Sequence, residues 1–538
     1  MNKEKIKIGI DLDNTIICYD VAFQLAAKKF GLFLNGDGYS KKNLRDCIRQ
    51  KKGGEVQWQR LQSHVYGEGI DNAHVFTGFH RFLWRCNQSG IEVEIVSHKT
   101  EYGHFDEDKI SLREKANTFL SNNLIDNNFL IVDKITYTNT KDEKLDYIKS
   151  NNFDFFIDDL IEIIEELTLI SDYQSILFSS KIYKNVKSIE SWPKIENHFF
   201  DDLKLSEVEL LVKMIVKNGV GEVIQLNGRG NSSVYKITTT GAPIFFKIYP
   251  QESGHNRINS EFDSTSMLFS SGMTEIQNPI ACNKALGIAA YKWIDVDDSY
   301  EYNTSTVREL LNFLKKLHDC KVKRKFDTFL MASDSCTSIS EIEMQIKRRL
   351  SELDKASEHS AMLNNFLENE FKPLFKKVAI WSKAGFSNDD YYKPIERQEM
   401  TLNPSDFGFH NILMSQDGCL KFIDFEYFGW DDPVKLASDF SHHAAMNLTK
   451  EMECLWFQGI KNIYGECLLG RLKASWPLYG LNWCLIILNE FNNDIWNKRC
   501  LANKEIKHNR GDILLRQLTK SRGKLVKIAE CYRDKNFW

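Results

Sequence analysis

Ile6-Lys7-Ile8-Gly9-Ile10 runs without a break into Asp11-Leu12-Asp13-Asn14-Thr15. A short apolar run that stops at a carboxylate reads as a buried strand delivering a polar group from its C-terminal end. The pattern recurs twice. Residues 91–96 (IEVEIV) end in Ser97, and residues 153–157 (FDFFI) end in Asp158. Between the apolar runs lie stretches of helical period at 21–30, 110–122 and 142–150. Strands alternating with helices predict an α/β domain on a parallel sheet, with its ligands at the C-terminal ends of the strands.

Those strand ends carry phosphate chemistry. A carboxylate such as Asp11 can attack a phosphoryl group as a nucleophile. Asp13, two residues on, can protonate the leaving group and then activate water. One anion approaches another only with charge neutralisation, so Mg²⁺ and a cation are expected. Asp158 and Asp159 offer metal-binding oxygens, Ser97 a hydrogen bond to a phosphate oxygen, and Lys144 (or Lys141) the positive charge. D-x-D-x-T at 11–15, a strand-terminal Ser97, Lys144 and the pair Asp158-Asp159, in that order, resemble the haloacid dehalogenase (HAD) phosphatase superfamily. The resemblance spans roughly residues 5–190. It implies a Rossmann-like fold, an aspartyl-phosphate intermediate on Asp11, and Mg²⁺ held by Asp11, the Asp13 carbonyl and Asp158, with Asp159 nearby. Residues 19–82 fall where this superfamily inserts a small helical cap that selects substrate.

A different grammar starts near residue 205. Ser206 is a candidate cap for a helix through Val216. The segments 221–226, 233–239 and 244–248 then read as antiparallel strands around a glycine turn. That turn, Asn227-Gly228-Arg229-Gly230-Asn231-Ser232, offers backbone N–H groups that can close over phosphates. Lys247 suits an α/β-phosphate contact, and Glu261, in a helical stretch, could pair with it. Asp406 and Asn411 lie five apart in Pro404-Ser405-Asp406-Phe407-Gly408-Phe409-His410-Asn411, and Phe422-Ile423-Asp424-Phe425-Glu426 follows. The spacing resembles the catalytic segment of protein-kinase-like folds. The tail Asp424 to Pro433, followed by Asp439, looks like the aminoglycoside phosphotransferase and choline kinase branch. The resemblance spans roughly 205–500. It implies an α+β fold with Asp406 as acceptor of the substrate hydroxyl proton. Asn411 and Asp424 become Mg²⁺ ligands. Gly228, Gly230, Asn231, Ser232, Lys247 and Glu261 serve ATP or another nucleoside triphosphate, and residues 288–294 form the adenine hinge. The sequence departs from that branch at Pro404-Ser405-Asp406, where His-Gly-Asp is usual. His410 is a packed loop histidine or a structural substitute.

Composition sets the outer limits. The chain has 538 residues, enough for two to four domains. The expected division is 1–195 and 205–538, the second with lobes at 205–295 and 296–538. With 70 Lys+Arg against 74 Asp+Glu, nothing suggests a broad nucleic-acid surface. No run reaches the ~18 apolar residues of a membrane span, and Cys484–Leu488 reads as core helix. The 12 cysteines are scattered without a C-x-x-C pair, which argues against a zinc ribbon or disulfide framework and for a reducing, cytoplasmic setting. The expected partners are therefore a small phosphate ester and a small alcohol. A non-catalytic phosphometabolite sensor or scaffold, or a chain with one active domain, is the alternative. A protein or antibiotic acceptor, selected by residues 434–538, is a third. The aromatics of that region read as helical core or as a cation cage.

Overall fold

The computed structural model describes residues 5–32, 40–125, 130–170, 174–217, 219–226, 232–251, 256–321, 327–502 and 509–534. The chain divides into two compact units, Met1–Leu203 and Lys204–Pro250 with His255–Trp538. No helix among the described residues is long and apolar enough to cross a membrane. All 12 cysteines are free.

The first unit is built on a six-stranded sheet. From one edge the strands are Lys134–Thr138, Glu92–His98, Lys7–Ile10, Phe155–Asp158, Gln174–Phe178 and Ser188–Ile189. Every pairing is parallel, with Ile10 opposite Ile95 on one side and Ile157 on the other. Ile8, Ile10, Val93, Ile95, Phe156 and Ile157 are fully buried, as a sheet covered on both faces requires. The register places Asp11 and Asp158 side by side at one end of neighbouring central strands. The described part of residues 19–82 holds the helices Asp20–Lys29, Lys41–Arg49 and Gly54–Tyr66, a short 3-10 helix Glu68–Asn72, and the first turn of the helix Phe79–Gln88. Phe23 from the first, Leu44 and Ile48 from the second, and Trp58, Leu61 and Val65 from the third are buried, with Phe23 stacked on Trp58 at 4.9 Å.

The second unit opens with the helix Leu205–Ile215. Ser206 does not cap it. The helix starts one residue earlier, and Glu207 Oε2 accepts the Lys204 N–H instead (2.9 Å). A five-stranded antiparallel sheet follows, in the order Pro279–Asn283, Ile288–Lys292, Ile244–Ile248, Ser233–Thr239, Val220–Gln225. From Thr304 the unit is mainly helical. Two-stranded pairings, Thr401–Asn403 with Gly429–Asp431 and Ile412–Met414 with Leu420–Phe422, frame the loops that carry Asp406 and Asp424. Trp456, Trp476 and Tyr479 are at most 3% exposed and belong to the helical core rather than to an open cage. Cys484 and Leu485 are buried on the helix Leu468–Ile487.

Candidate active sites

In the first unit, Asp11 leaves its strand with its N–H on the Ile157 carbonyl (2.9 Å). The turn after it holds Asn14 at φ 65°, a left-handed conformation that asparagine tolerates better than most residues. Thr15 Oγ1 donates to Asp11 Oδ2 (3.3 Å). Lys144 lies on the helix Lys141–Ser150, whose first turn is capped by Thr140 Oγ1 accepting from the Glu143 N–H. Its ammonium, 1% exposed, donates to Asp11 Oδ1 (2.5 Å) and Asp158 Oδ2 (2.7 Å). Lys141 is exposed on the outer turn of that helix, so Lys144 is the lysine at the site. Burial, with the charges of Asp158 and Asp13, pushes Asp11 up to about 7 against the pull of Lys144. Asp159 is raised for the same first reason. Carboxylate oxygens of Asp11, Asp158 and Asp159 lie within 4.8 Å of one another.

Asp13 is turned the other way. Lys99 reaches both of its oxygens (2.8 and 3.1 Å), and Tyr19 Oη donates to Oδ1 (2.7 Å). Burial works against ionisation, but Lys99 and Tyr19 hold Asp13 below the usual carboxylate range. Ser97 is 1% exposed on the strand Glu92–His98, and among the described residues its Oγ has no hydrogen-bond partner. A buried hydroxyl without a partner costs about 1–3 kcal/mol, so it is a group that a ligand oxygen would satisfy. A cavity of about 320 Å³ has Asp11, Asp13, Lys99, Lys144 and Asp159 in its wall.

Lys99, Lys41, Tyr19 and Tyr66 were not singled out from the sequence. Lys99 follows two residues after Ser97 and could have been sought as a second strand-end group. Lys41 and Tyr66 had no local signal. The N–H of Lys41 is tied to Asp20 Oδ1 (2.7 Å), which fixes the start of its helix. Its ammonium donates to Asn14 Oδ1 (2.9 Å) and Tyr66 Oη (2.7 Å).

In the second unit, Lys247 comes from the central strand Ile244–Ile248 and is 5% exposed. It donates to Glu261 Oε2 and Asp424 Oδ1, each at 2.7 Å, and lies 3.5 Å from Glu426 Oε2. Burial disfavours the ammonium, but Asp424, Glu261 and Glu426 keep its pKa well above the usual range. Tyr249 Oη also donates to Glu261 (2.7 Å) and so braces the pair. Arg257 holds the other oxygen of Glu426 (2.7 Å). Ser232 Oγ donates to Glu426 at 3.4 Å, whereas Gly228, Gly230 and Asn231 lie outside the described residues. Glu426 was passed over in the sequence, although it lies two residues past Asp424. Asp424 sits at φ 65° after the strand Leu420–Phe422.

Asp406 and Asp424 are close enough for the Asp406 charge to raise Asp424, alongside burial, the leading cause. Asn411 Nδ2 donates to the Asp406 carbonyl (2.8 Å) and Oδ2 (3.3 Å). His410 Nε2 lies 3.0 Å from Asp406 Oδ1, and His443 Nε2 lies 3.2 Å from it. The two imidazoles stack at 4.0 Å and 6°. Burial opposes it, but both imidazoles bring Asp406 well below the usual carboxylate range. His410 is thus more than a packed loop residue, because it touches the carboxylate beside it. His443 lies 37 residues away in sequence, at the end of the helix Pro433–His442, and only the fold brings it here.

No family model and no curated protein sequence matches the chain. Solved structures similar to about 60% of it include a spectinomycin phosphotransferase, APH(9)-Ia, in complex with ADP and spectinomycin (13% identity, 60% of this chain and 99% of that chain, TM-score 0.43). They also include the choline kinase LicA from Streptococcus pneumoniae (14%, 60% and 99%, TM-score 0.39). A Plasmodium vivax ethanolamine kinase is similar at 14% identity over 64% of this chain and 98% of that chain, TM-score 0.39. At these values, activity and substrate have to be read from the site residues themselves.

Proposed function

We propose that the chain is a bifunctional small-molecule phosphate-transfer enzyme, with an HAD-type phosphatase in residues 1–195 and an aminoglycoside phosphotransferase-like or choline kinase-like domain in residues 205–538. One observation carries the reading. In each unit a buried lysine joins carboxylates that are far apart in sequence: Lys144 joins Asp11 and Asp158, and Lys247 joins Glu261 and Asp424. Buried charges are tolerated when paired, and such clusters concentrate where anionic substrates react.

Both sites fit a hard divalent cation by their donors. Asp11, Asp158 and Asp159 in one, and Glu261, Asp424 and Glu426 in the other, offer carboxylate oxygens within 4.8 Å of one another, the donor type that suits Mg²⁺. The residues that would hold the ion are Asp11, the Asp13 carbonyl and Asp158 with Asp159 nearby, and Asn411 with Asp424. When bound, Mg²⁺ offsets the charge of the phosphate oxygens.

In the phosphatase, a carboxylate oxygen of Asp11 bonds to phosphorus as the ester P–O bond breaks. Lys144 offsets the negative charge, and the unpartnered Ser97 hydroxyl donates to a phosphate oxygen. Asp13 gives a proton to the leaving oxygen from its protonated form, the minor one at rest, and then, as the carboxylate this leaves, takes one from the water that attacks the phosphorylated Asp11 and frees inorganic phosphate. The Lys99 and Tyr19 contacts favour the carboxylate form of Asp13, the form that accepts that second proton. In the kinase, Asp406 accepts the proton of the acceptor hydroxyl as its oxygen bonds to the γ-phosphorus and the bond to ADP breaks. Lys247 exchanges Asp424 for the α/β-phosphates while Glu261 keeps it in place. Ser232 donates to a phosphate oxygen of the nucleotide.

The test is two assays on purified protein. Mg²⁺-dependent phosphate release from an aryl phosphate is expected, and is abolished in Asp11→Asn. ADP formation is expected, and is abolished in Asp424→Ala. Silence of the unmodified protein in both assays, across a broad panel of phosphate esters and alcohols, would instead favour a phosphometabolite sensor or scaffold.

A further inference from the structure

The cavity of the first unit is lined by groups of different chemistry. Asp11, Asp159 and Lys144 belong to the carboxylate cluster. Lys41, on the inserted helix Lys41–Arg49, lines the same cavity from a separate element. Lys144 and Lys99 are each neutralised by carboxylates. Lys41 is not: its hydrogen-bond acceptors are the neutral Asn14 Oδ1 and Tyr66 Oη. Among the described residues no carboxylate lies within ion-pairing distance of it. Its ammonium also lies 5.3 Å from the Tyr66 ring, 5.5 Å from Phe23 and 5.8 Å from Tyr19, an aromatic wall that favours a cation without cancelling its charge. Burial acts against the ammonium, but Tyr66 and the more distant Asp13 and Asp159 raise its pKa, so it is charged at neutral pH.

The rest of the wall is mostly polar. Gln59, Gln62, Ser63 and Tyr66 project from one face of the helix Gly54–Tyr66, at i, i+3, i+4 and i+7. Across from them lie Thr100 and His104. Gly103 brings that segment against the helix: a Cβ there would stand 2.0 Å from Ser63 Oγ. Leu112 and Leu160 are the only aliphatic side chains lining the cavity among the described residues. Ligand pockets are ordinarily lined mainly by apolar side chains. A cavity of about 320 Å³ with this lining offers little apolar surface to a lipid chain and suits a short hydroxylated skeleton.

We infer that the phosphatase site takes small hydroxylated phosphomonoesters bearing a second anionic group, and that Lys41, held by Tyr66, is the residue that recognises that group. The inference rests on the phosphatase reading of this unit. The reacting phosphoryl group already has Lys144 and Ser97. The positive charge of Lys41, which lines the same cavity, is left for a carboxylate or second phosphate, and Gln59 and Gln62 in the cavity wall offer hydrogen bonds to hydroxyls.

The test compares two esters of nearly equal size, 3-phosphoglycerate and glycerol 1-phosphate, which differ in a carboxylate against a hydroxymethyl group. The expected result is a kcat/KM ratio of at least about tenfold in favour of the carboxylate ester, collapsing toward one in Lys41→Met and falling partway in Tyr66→Phe. A ratio near one in the unmodified protein, or a ratio unchanged in Lys41→Met, overturns the inference. Binding of the same two esters to Asp11→Asn, read by thermal shift with Mg²⁺, separates the two layers. If the unmodified protein turns over neither ester but Asp11→Asn prefers the carboxylate ester and loses that preference on adding Lys41→Met, the anion site stands and the phosphatase reading falls. If turnover occurs but neither readout shows a preference, the phosphatase reading stands and the anion site falls.

Discussion

Replacing Lys144 by methionine keeps the length of the side chain and removes its charge. The ammonium is 1% exposed and touches Asp11 and Asp158, themselves 4% and 0% exposed. At an effective dielectric near 20, each contact represents about 6 kcal/mol of gross attraction. Most of this is offset by the cost of taking three charges out of water. The net loss when one partner of such a buried cluster is removed is about 3–5 kcal/mol. For a unit of this size that lowers the melting temperature by roughly 6–20 °C. Chemistry suffers separately. Asp11 already stands near 7 with Lys144 beside it. Without the lysine it rises further, is largely protonated at neutral pH, and loses its nucleophilic form. Turnover of an aryl phosphate should fall by roughly 10²–10³-fold. Calorimetry and phosphate release measure the two effects. Adding Asp158→Asn to Lys144→Met removes one stranded carboxylate, so it should recover part of the stability and none of the turnover. A Lys144→Met protein that melts within a degree or two of the original and turns over within a few-fold would refute the reasoning.

Two further outcomes follow from the second unit. His443 Nδ1 accepts the Ala445 N–H (3.1 Å), which leaves Nε2 to carry the proton toward Asp406 in the neutral ring. His443→Ala should therefore lower kcat for ATP-dependent transfer by roughly tenfold to a hundredfold, with KM for ATP unchanged, because the acceptor carboxylate loses its alignment. Steady-state ADP formation reads both parameters, and His443→Gln, which retains a donor, should recover part of the loss. His442 is 3% exposed, and its Nε2–H donates to the Trp476 carbonyl (3.0 Å). Burial, with the charge of Lys524, holds its pKa well below 6.5. As pH falls through 6.5 the unfolded chain takes up a proton that the folded chain refuses, so stability declines by up to about 1.4 kcal/mol per pH unit. Urea unfolding between pH 7.5 and 5 should show that slope, and His442→Gln should reduce it.

Period and punctuation made much of the architecture legible. The stretches 233–239 and 244–248 are strands with those bounds. The stretches 21–30 and 142–150 are helices displaced by one residue at one or both ends. Ser206 misled because serine is a common cap, whereas here the reciprocal partner was Glu207, reaching back to the preceding backbone. Asp11 and Asp158 stood out because each closes an apolar run, Lys144 (with Lys141) by its place in the phosphatase motif order, Lys247 by its place within an apolar strand, and Asp406 and Asp424 by the spacing they share with the kinase-like catalytic segment. Lys41, Tyr66, Lys99 and His443 stood out nowhere. Each lies on an element whose local pattern reports only its buried face, and the polar face says nothing about what it will meet.

The sequence by itself determined which segments are strands and helices and which polar residues stand at their ends, because periodicity and strand termination act over a few residues. Tertiary structure alone decided which charges meet: that Lys144 rather than Lys141 faces Asp11, that Lys99 takes Asp13, that His443 joins His410 on Asp406, and that Lys41 lines the cavity with no carboxylate of the described residues within ion-pairing distance. Pairing between charges depends on distances of a few ångströms across separate elements. Those distances are set by sheet register and helix packing, which no short window of residues contains.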